Sequence, residues 1–444
     1  METLENRLQR RINISLYALI FLTVLLGLSV LLEGCSDRCE ITNTYYYYEP
    51  VYTKLEEIRA GVEVVSPQPI EGVGKIYYKD EYLFVNEPGK GIHIIDNHNP
   101  ASPTVKSFIT IPGNYDLAIQ GHTLYADSYI DLVALDISDL SNIHEVNRLE
   151  NVFTAYNSLG FYVDPVKGVV TGWAEQEQVS TSDEPCEQNM MAWGGFYYKG
   201  GVAMDVASFN ESAAIAPGNG SGPGVGGSMA RFTISHDHLY VLDVGNVQPF
   251  DLANESEPVI KGKVYVSWDI ETIFPHNNNL FLGSTSGMHI LDISAPAAPV
   301  KISTYEHIRS CDPVIVEGDY AYVTLRSGTE CQGFTNQLEV INITNLSAPF
   351  LVKTYPMFNP HGLGKDENTL FVCDGGAGLK VYDAGNIMTI DQHLLAHYDS
   401  IQAYDVIPLD DVLMMIGEDG VFQYDYSNPE DIKLLSVIQV LHEK

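Results

Sequence analysis

A unit of about 41 residues that recurs in register along most of the chain constrains the fold more than any other feature. Each copy runs through a short apolar segment, a polar turn, a segment of the type LYV, a glycine or polar turn, and a third segment ending in an acidic residue. An Asn/Ser-Pro turn follows. Clear copies are KDEYLFVNEPGKGIHIIDNHNPASP, QGHTLYADSYIDLVALDISDLSN, HNNNLFLGSTSGMHILDISAPAAP, ENTLFVCDGGAGLKVYDAGN and DDVLMMIGEDGVFQYDYSNPED. The residue closing the third segment falls at Asp96, Asp136, Asp251, Asp292, Asn342, Asp383 and Asp425, with successive gaps of 40, 115, 41, 50, 41 and 42.

Four short strands per unit, separated by turn residues, predict an all-β protein of the β-propeller type. A single four-strand sheet cannot cover its own faces, whereas sheets stacked side by side cover one another. The 115-residue gap decides the count. It contains GFYVDPVKGVVTGWAEQE, starting at Gly160, which reads as the first two strands of a further unit. A Ser/Gly/Asn-rich stretch, residues 179–228, reads as an insertion loop in that third unit. Long structureless loops are uncommon in compact domains, so eight blades are favoured over seven. The one good helix candidate after residue 32 is VYTKLEEIRAGVEV, starting at Val51.

The front end has a different character. Arg7, Arg10 and Arg11 precede residues 16–32, an almost wholly apolar run that leads into Glu33-Gly34-Cys35. This is the shape of a secretory signal, and the small residue before a cysteine resembles the lipobox of bacterial lipoproteins. That resemblance implies cleavage after residue 34, acylation of Cys35, and an outer-membrane location favoured by Ser36. An uncleaved anchor is the alternative, since 17 apolar residues are near the short end of a span. The organisation expected is a signal peptide over 1–34, a lipidated tether with a short helix over 35–70, and a propeller over 71–444.

The formal net charge is -34, with 58 Asp and Glu against 24 Lys and Arg. Residues 1–34 add nothing to it, so the mature chain carries the whole excess. Nucleic acid is excluded as a partner, because phosphates are met by cations. Five cysteines accompany Cys35: Cys39, Cys186, Cys311, Cys331 and Cys373. Cys311 and Cys331 flank a hairpin-like stretch and are expected to pair in an oxidising compartment. No paired CxxC suggests structural zinc.

No GxSxG, HExxH, P-loop or dinucleotide fingerprint is present. Equivalent positions before the LYV-type strands carry Asp116, Arg231, Asp312, His361 and Asp405, while another unit offers Glu271 or Thr272. In a propeller these positions ring one mouth of the central channel. Carboxylates, an imidazole and a guanidinium there could hold a divalent cation or a small polar ligand. They could equally cap free backbone amides of the inner strands. The recurring third-strand aspartates read as Asx-turn formers. Trp193, Phe196, Tyr197 and Tyr198, within the insertion, offer a partner-contact loop or a cover for an open sheet edge.

The repeat resembles the LVIVD repeats of exported bacterial β-propellers, frequent in lipoproteins of the Bacteroidetes. LFVNEPGKGIHIID, LYADSYIDLVALD and LFVCDGGAGLKVYD carry the likeness, which extends from about residue 76 to residue 441. The partial third unit and Asn342 depart from it. The resemblance implies fold and location but no defined activity. The leading functional expectation is a lipid-anchored, non-enzymatic scaffold binding a protein or a glycan. A hydrolase or lyase at the channel mouth, metal-assisted or not, and a structural subunit of an outer-membrane complex are the alternatives.

Overall fold

The computed structural model of the protein describes residues 4–31, 38–154, 162–185, 223–307, 313–327 and 335–441. It forms two compact bodies, one of residues 1–50 and 173–203, the other of residues 51–172 and 204–444. The smaller body contains the helix Leu4–Leu31 and most of a ribbon in which the strand Arg38–Thr53 pairs with Gly168–Pro185. Among the described residues, no helix is long and apolar enough to cross a membrane.

The larger body carries the repeat. Eight sheets form among the described residues, and seven of them are built on an antiparallel four-strand meander. These seven span residues 76–110, 117–149, 232–265, 270–306, 314–356, 363–398 and 403–439 and are numbered one to seven below. The architecture is all-β and propeller-like.

The eighth sheet corrects the reading of the third unit. Val163–Asp164 and Gly168–Pro185 make a hairpin, as the sequence suggests, but its other edge pairs with the strand Arg38–Thr53. With no third segment of its own, the hairpin completes a three-stranded sheet with the tether. Gly168 sits at φ +100 with the Thr53 carbonyl close by, where an added Cβ would lie 2.1 Å from that oxygen. Within the stretch read as an insertion loop, residues 179–185 are strand, and Val225–Gly226 pairs with the first strand of sheet one. The helix candidate appears as Leu55–Ala60.

Local chemistry explains the meander. Asp96, Asp136, Asp251, Asp292, Asp383 and Asp425 each accept, through Oδ1, the N–H of the residue two places on, at 2.7–3.2 Å. This is the Asx turn expected of them. Asn342 makes the same bond to Thr344 with its amide oxygen at 3.1 Å, so it departs from the repeat in charge only. In six of the sheets the third and fourth strands slip by one residue at the same place, as at Ile94/Ile95 and Val340/Ile341. Such bulges add twist, which side-by-side packing of sheets requires.

Packing joins each sheet to the next. Sheets one, two and three share one core and sheets four, five and six another; further clusters join three to four and six to seven. The seventh sheet packs on the first through Ile407, Met414, Ile416 and Val421 against Ile76, Leu83, Val85 and Ile95. Gln423 Nε2 donates to Asn97 Oδ1 at 2.7 Å, and Ser436 Oγ donates to the Pro100 carbonyl at 2.6 Å across the same seam. Tyrosine hydroxyls tie other neighbours: Tyr125 to the Glu255 carbonyl, Tyr240 to Pro296 and Tyr398 to Ile432, at 2.7, 3.1 and 2.8 Å. Each ring is largely buried while its hydroxyl finds a carbonyl on the next sheet.

The tether is pinned to two sheets. Arg59 meets the buried Asp131 with both Nε (2.7 Å) and Nη2 (3.1 Å), and Arg148 approaches the same carboxylate at 3.2 Å. The strand Glu63–Val65 extends sheet one at its outer edge.

Ile416→Ala at the seam is expected to destabilise the chain by about 2–5 kcal/mol in a denaturant titration. Val300→Ala, at a site 63% exposed, should change stability by no more than about 0.5 kcal/mol. Equal effects from the two would mean that the seam contributes nothing particular.

Candidate functional site on the inner strands

The first strands of successive sheets lie side by side, from sheet one to sheet seven. A short segment, residues 224–231, runs against them just before it enters sheet three. Gly224 N–H donates to the Ile119 carbonyl of sheet two, and Gly227 N–H donates to Ile76 of sheet one. Lys75 Nζ donates to the Met229 carbonyl at 2.9 Å, and Ile273 N–H of sheet four donates to Ala230. Ser228 Oγ donates to Asp405 of sheet seven at 2.8 Å and accepts the N–H of Leu363, in sheet six, at 2.7 Å. Eight residues therefore touch five sheets and lead into a sixth.

Of the five residues singled out as a channel-mouth set, Asp116 and Asp405 accept hydrogen bonds from this segment, Arg231 ends it, and His361 precedes Gly362. Asp116 is buried; its Oδ1 accepts Leu117 N–H, and its Oδ2 accepts the N–H groups of Arg231 and Phe232 at 2.6 and 3.1 Å. Burial pushes its pKa up, against the pull of Lys75 and the Arg231 N–H. Asp405 is 1% exposed, and its Oδ1 accepts both the N–H and the hydroxyl of Ser228. Its Oδ2 has no hydrogen-bond partner among the described residues. Burial raises this carboxyl to about 7, only partly offset by Ser228. Gly362 makes the approach possible, because a Cβ there would lie 1.9 Å from Asp405 Oδ1.

His361 is next to that glycine. Its N–H donates to the Cys373 carbonyl at 2.7 Å, and its own carbonyl accepts Thr324 Oγ1 of sheet five at 2.6 Å. Burial, reinforced by Arg326, lowers the imidazole to about 3, so the ring is neutral at physiological pH. Arg231 holds its guanidinium on the Leu242 carbonyl through Nη2 at 3.0 Å. It lines a small cleft, partly open to solvent, with Asp116, Asp127, Tyr129, Phe153 and Asp243 between sheets two and three. Asp127 is pushed up to about 6 by burial, although its Oδ1 accepts the N–H groups of Tyr115 and Asp116 and the Asn114 amide.

The fifth member, Asp312, lies outside the described residues, as do Cys35, the Cys311 and Cys331 pair, and the aromatics Trp193, Phe196, Tyr197 and Tyr198. Among the described residues no disulfide forms, and Cys373 is a buried free thiol. No three His, Cys, Asp or Glu side chains among them are placed to hold a metal ion. Thr272 is buried in the first strand of sheet four.

Chemically, the convergence makes a set of buried acceptors occupied by backbone donors from other sheets. Sequence reasoning missed Ser228 and Lys75, which do as much of the joining as Asp116 and Asp405. Their only signal is position: each stands just before a first strand, outside the four-strand template.

The LVIVD repeat model matches residues 73–110, 114–150, 278–307 and 308–356, within sheets one, two, four and five. No curated protein is similar to the chain in sequence. Among solved structures, a functionally unknown protein from Desulfotomaculum acetoxidans is similar at 10% identity and a TM-score of 0.50, covering 82% of this chain and 98% of that one. BamB from Moraxella catarrhalis is similar at 9% identity and a TM-score of 0.46, covering 86% and 97%. Hsv2p from Kluyveromyces lactis is similar at 12% identity and a TM-score of 0.46, covering 83% and 97%. At 10% identity the first of these likenesses speaks for the fold alone.

Because the Asp405 carboxyl holds its proton more tightly folded than unfolded, its contribution to stability is complete below the ordinary value of 3.8 and is lost as pH rises through about 7. Asp405→Asn, which keeps an acceptor for Ser228, is expected to flatten that part of the stability–pH curve and leave the slope due to Asp127. A variant curve parallel to the parent's would place the titration elsewhere. Ser228→Ala removes one donor and one acceptor from buried partners and should cost about 1–3 kcal/mol in the same assay.

Proposed function

We propose that the protein is a non-enzymatic docking scaffold of the cell envelope: a ring of seven four-strand blades, lipid-anchored through Cys35, that binds a protein partner along its outer strands. The shared cores from sheet one to sheet seven, and back from seven to one, support closure of the ring. The apolar run before Gly34-Cys35 supports export and acylation, and with Ser36 it favours the outer membrane.

The observation that carries the docking reading is an apolar residue left in solvent at one repeat position. Opposite the recurring Asx-turn residue, at the start of the fourth strand, stand Val259, Val300 and Phe350 in three successive sheets. They are 52, 63 and 56% exposed. Leu394 and Leu434 continue the row near the same level in sheets six and seven, at 47 and 55%. In sheets one and two, Thr104 and His144 occupy the position. Scattered apolar residues on a surface mean little, but recurrence along neighbouring edge strands marks a contact surface. With a net charge of -34 around it, the partner should present an apolar strip bordered by cations.

The inner-strand set is less well suited to a ligand or to catalysis. Asp116 and Oδ1 of Asp405 are occupied by backbone and serine donors, and His361 is neutral. A permanent structural subunit would use the same rim, and the lifetime of the complex would separate it from a transient adaptor.

A photocrosslinking amino acid at position 300 or 350 is expected to give one discrete adduct in cells, and at position 104 or 144 none. Adducts of equal yield from all four positions, or from none, would remove the rim as the docking surface. Labelled palmitate should enter the parent chain and not Cys35→Ala; an unlabelled parent would end the lipid-anchor reading.

A further inference from the structure

Tyr45, Tyr46, Tyr47 and Tyr48 follow one another on the strand Arg38–Thr53, and each is between 43 and 61% exposed. Neighbouring side chains on a strand point to opposite faces, so the tyrosines load both faces of the ribbon. On the paired strand Gly168–Pro185, Trp173 is 53% and Val179 55% exposed. A two-stranded ribbon is marginal in water without a surface to pack on. Tyrosine and tryptophan, apolar in the ring and polar at one edge, suit a zone that is half hydrocarbon and half wet. The Tyr48 hydroxyl already donates to Glu175 Oε2 at 2.6 Å, keeping its polar edge paired.

Chain continuity says which surface is within reach. Tyr45 lies ten positions after Cys35, and an extended chain of ten steps spans at most about 35 Å. We propose that this ribbon lies in the headgroup zone of the bilayer, with the tyrosine and tryptophan rings at the boundary of the acyl region, and acts as a second membrane contact beside the lipid. The inference rests on acylation at Cys35. The charges select the lipid: the two strands carry Glu40, Glu49, Glu175, Glu177, Asp183 and Glu184 in sequence against one cation, Arg38. Anionic headgroups would repel that balance, so the surface is one of zwitterionic phospholipid.

The test uses the full chain, acylated in a bacterial host and reconstituted into vesicles of phosphatidylcholine and phosphatidylethanolamine. Trp193→Phe with Trp268→Phe leaves Trp173 as the sole tryptophan of the three. Its emission should shift to the blue on reconstitution. It should also be quenched more by lipids brominated near the headgroup than by lipids brominated at the acyl terminus. Adding Tyr45→Ser and Tyr47→Ser should weaken that quenching while flotation with the vesicles persists. If the chain floats but Trp173 is not quenched, the ribbon is not a membrane contact, and its aromatics are left to a protein partner. If the chain does not float, the anchor reading fails and takes the ribbon proposal with it.

Discussion

The interaction on which the larger body most depends is the capture of residues 224–231 by buried carboxylates and amides of the inner strands. Placing a carboxylate where water cannot reach it is costly unless donors surround it. Asp116 and Asp405 find theirs in the N–H groups of Arg231, Phe232 and Ser228, which the sheet ladders would otherwise leave without partners. The segment contributes carbonyls in return, to Lys75 and to Ile273. Six sheets are thereby referred to one stretch of backbone. An apolar segment could fill the same space but could not fix the same register, since dispersion contacts are not directional.

Much of this was legible in the sequence. The recurring acid predicted both the strand order and the Asx turns, because the feature that makes the turn is local to a few residues. The third unit misled for the same reason. Residues 160–177 have the local pattern of two blade strands, and two such strands do form. Their partner is decided by the tether strand, more than a hundred residues upstream, which no local pattern encodes. Repeat register singled out Asp116, Arg231, His361 and Asp405; of these, Asp116 meets the Arg231 N–H, and Asp405 meets Ser228 three residues before Arg231. What register could not disclose is that the groups answering the two aspartates are mostly backbone amides. Ser228 was invisible because a serine after a glycine run has no periodicity to stand on.

The two roles of the acidic residues follow from depth. Asp96, Asp136 and Asp292 sit at exposed turns, where the side chains of Lys106, Ser138 and Ser294 respectively, and after them a backbone N–H, lower their pKa while the charge remains in water. Asp116, Asp127 and Asp405 sit inside, where burial outweighs the same kind of hydrogen bond and raises theirs. The outer set thus gives the surface its negative charge while the inner set gives the fold its register.

That division bears on function. A surface so acidic repels its own copies and most anionic surfaces, so an association must be carried by features that escape the charge. Two such features stand out. One is the row of apolar residues at the Asx-turn level, where the first two sheets, already held by the tether, carry Thr104 and His144 instead. The other is the aromatic ribbon, whose rings need no countercharge. In neither case does contact depend on a pocket. A repeat fold whose buried Asp116 and Asp405 are engaged by its own backbone leaves its edges and appended strands for recognition, and exposed apolar side chains such as Val300 and Tyr46 lie on both.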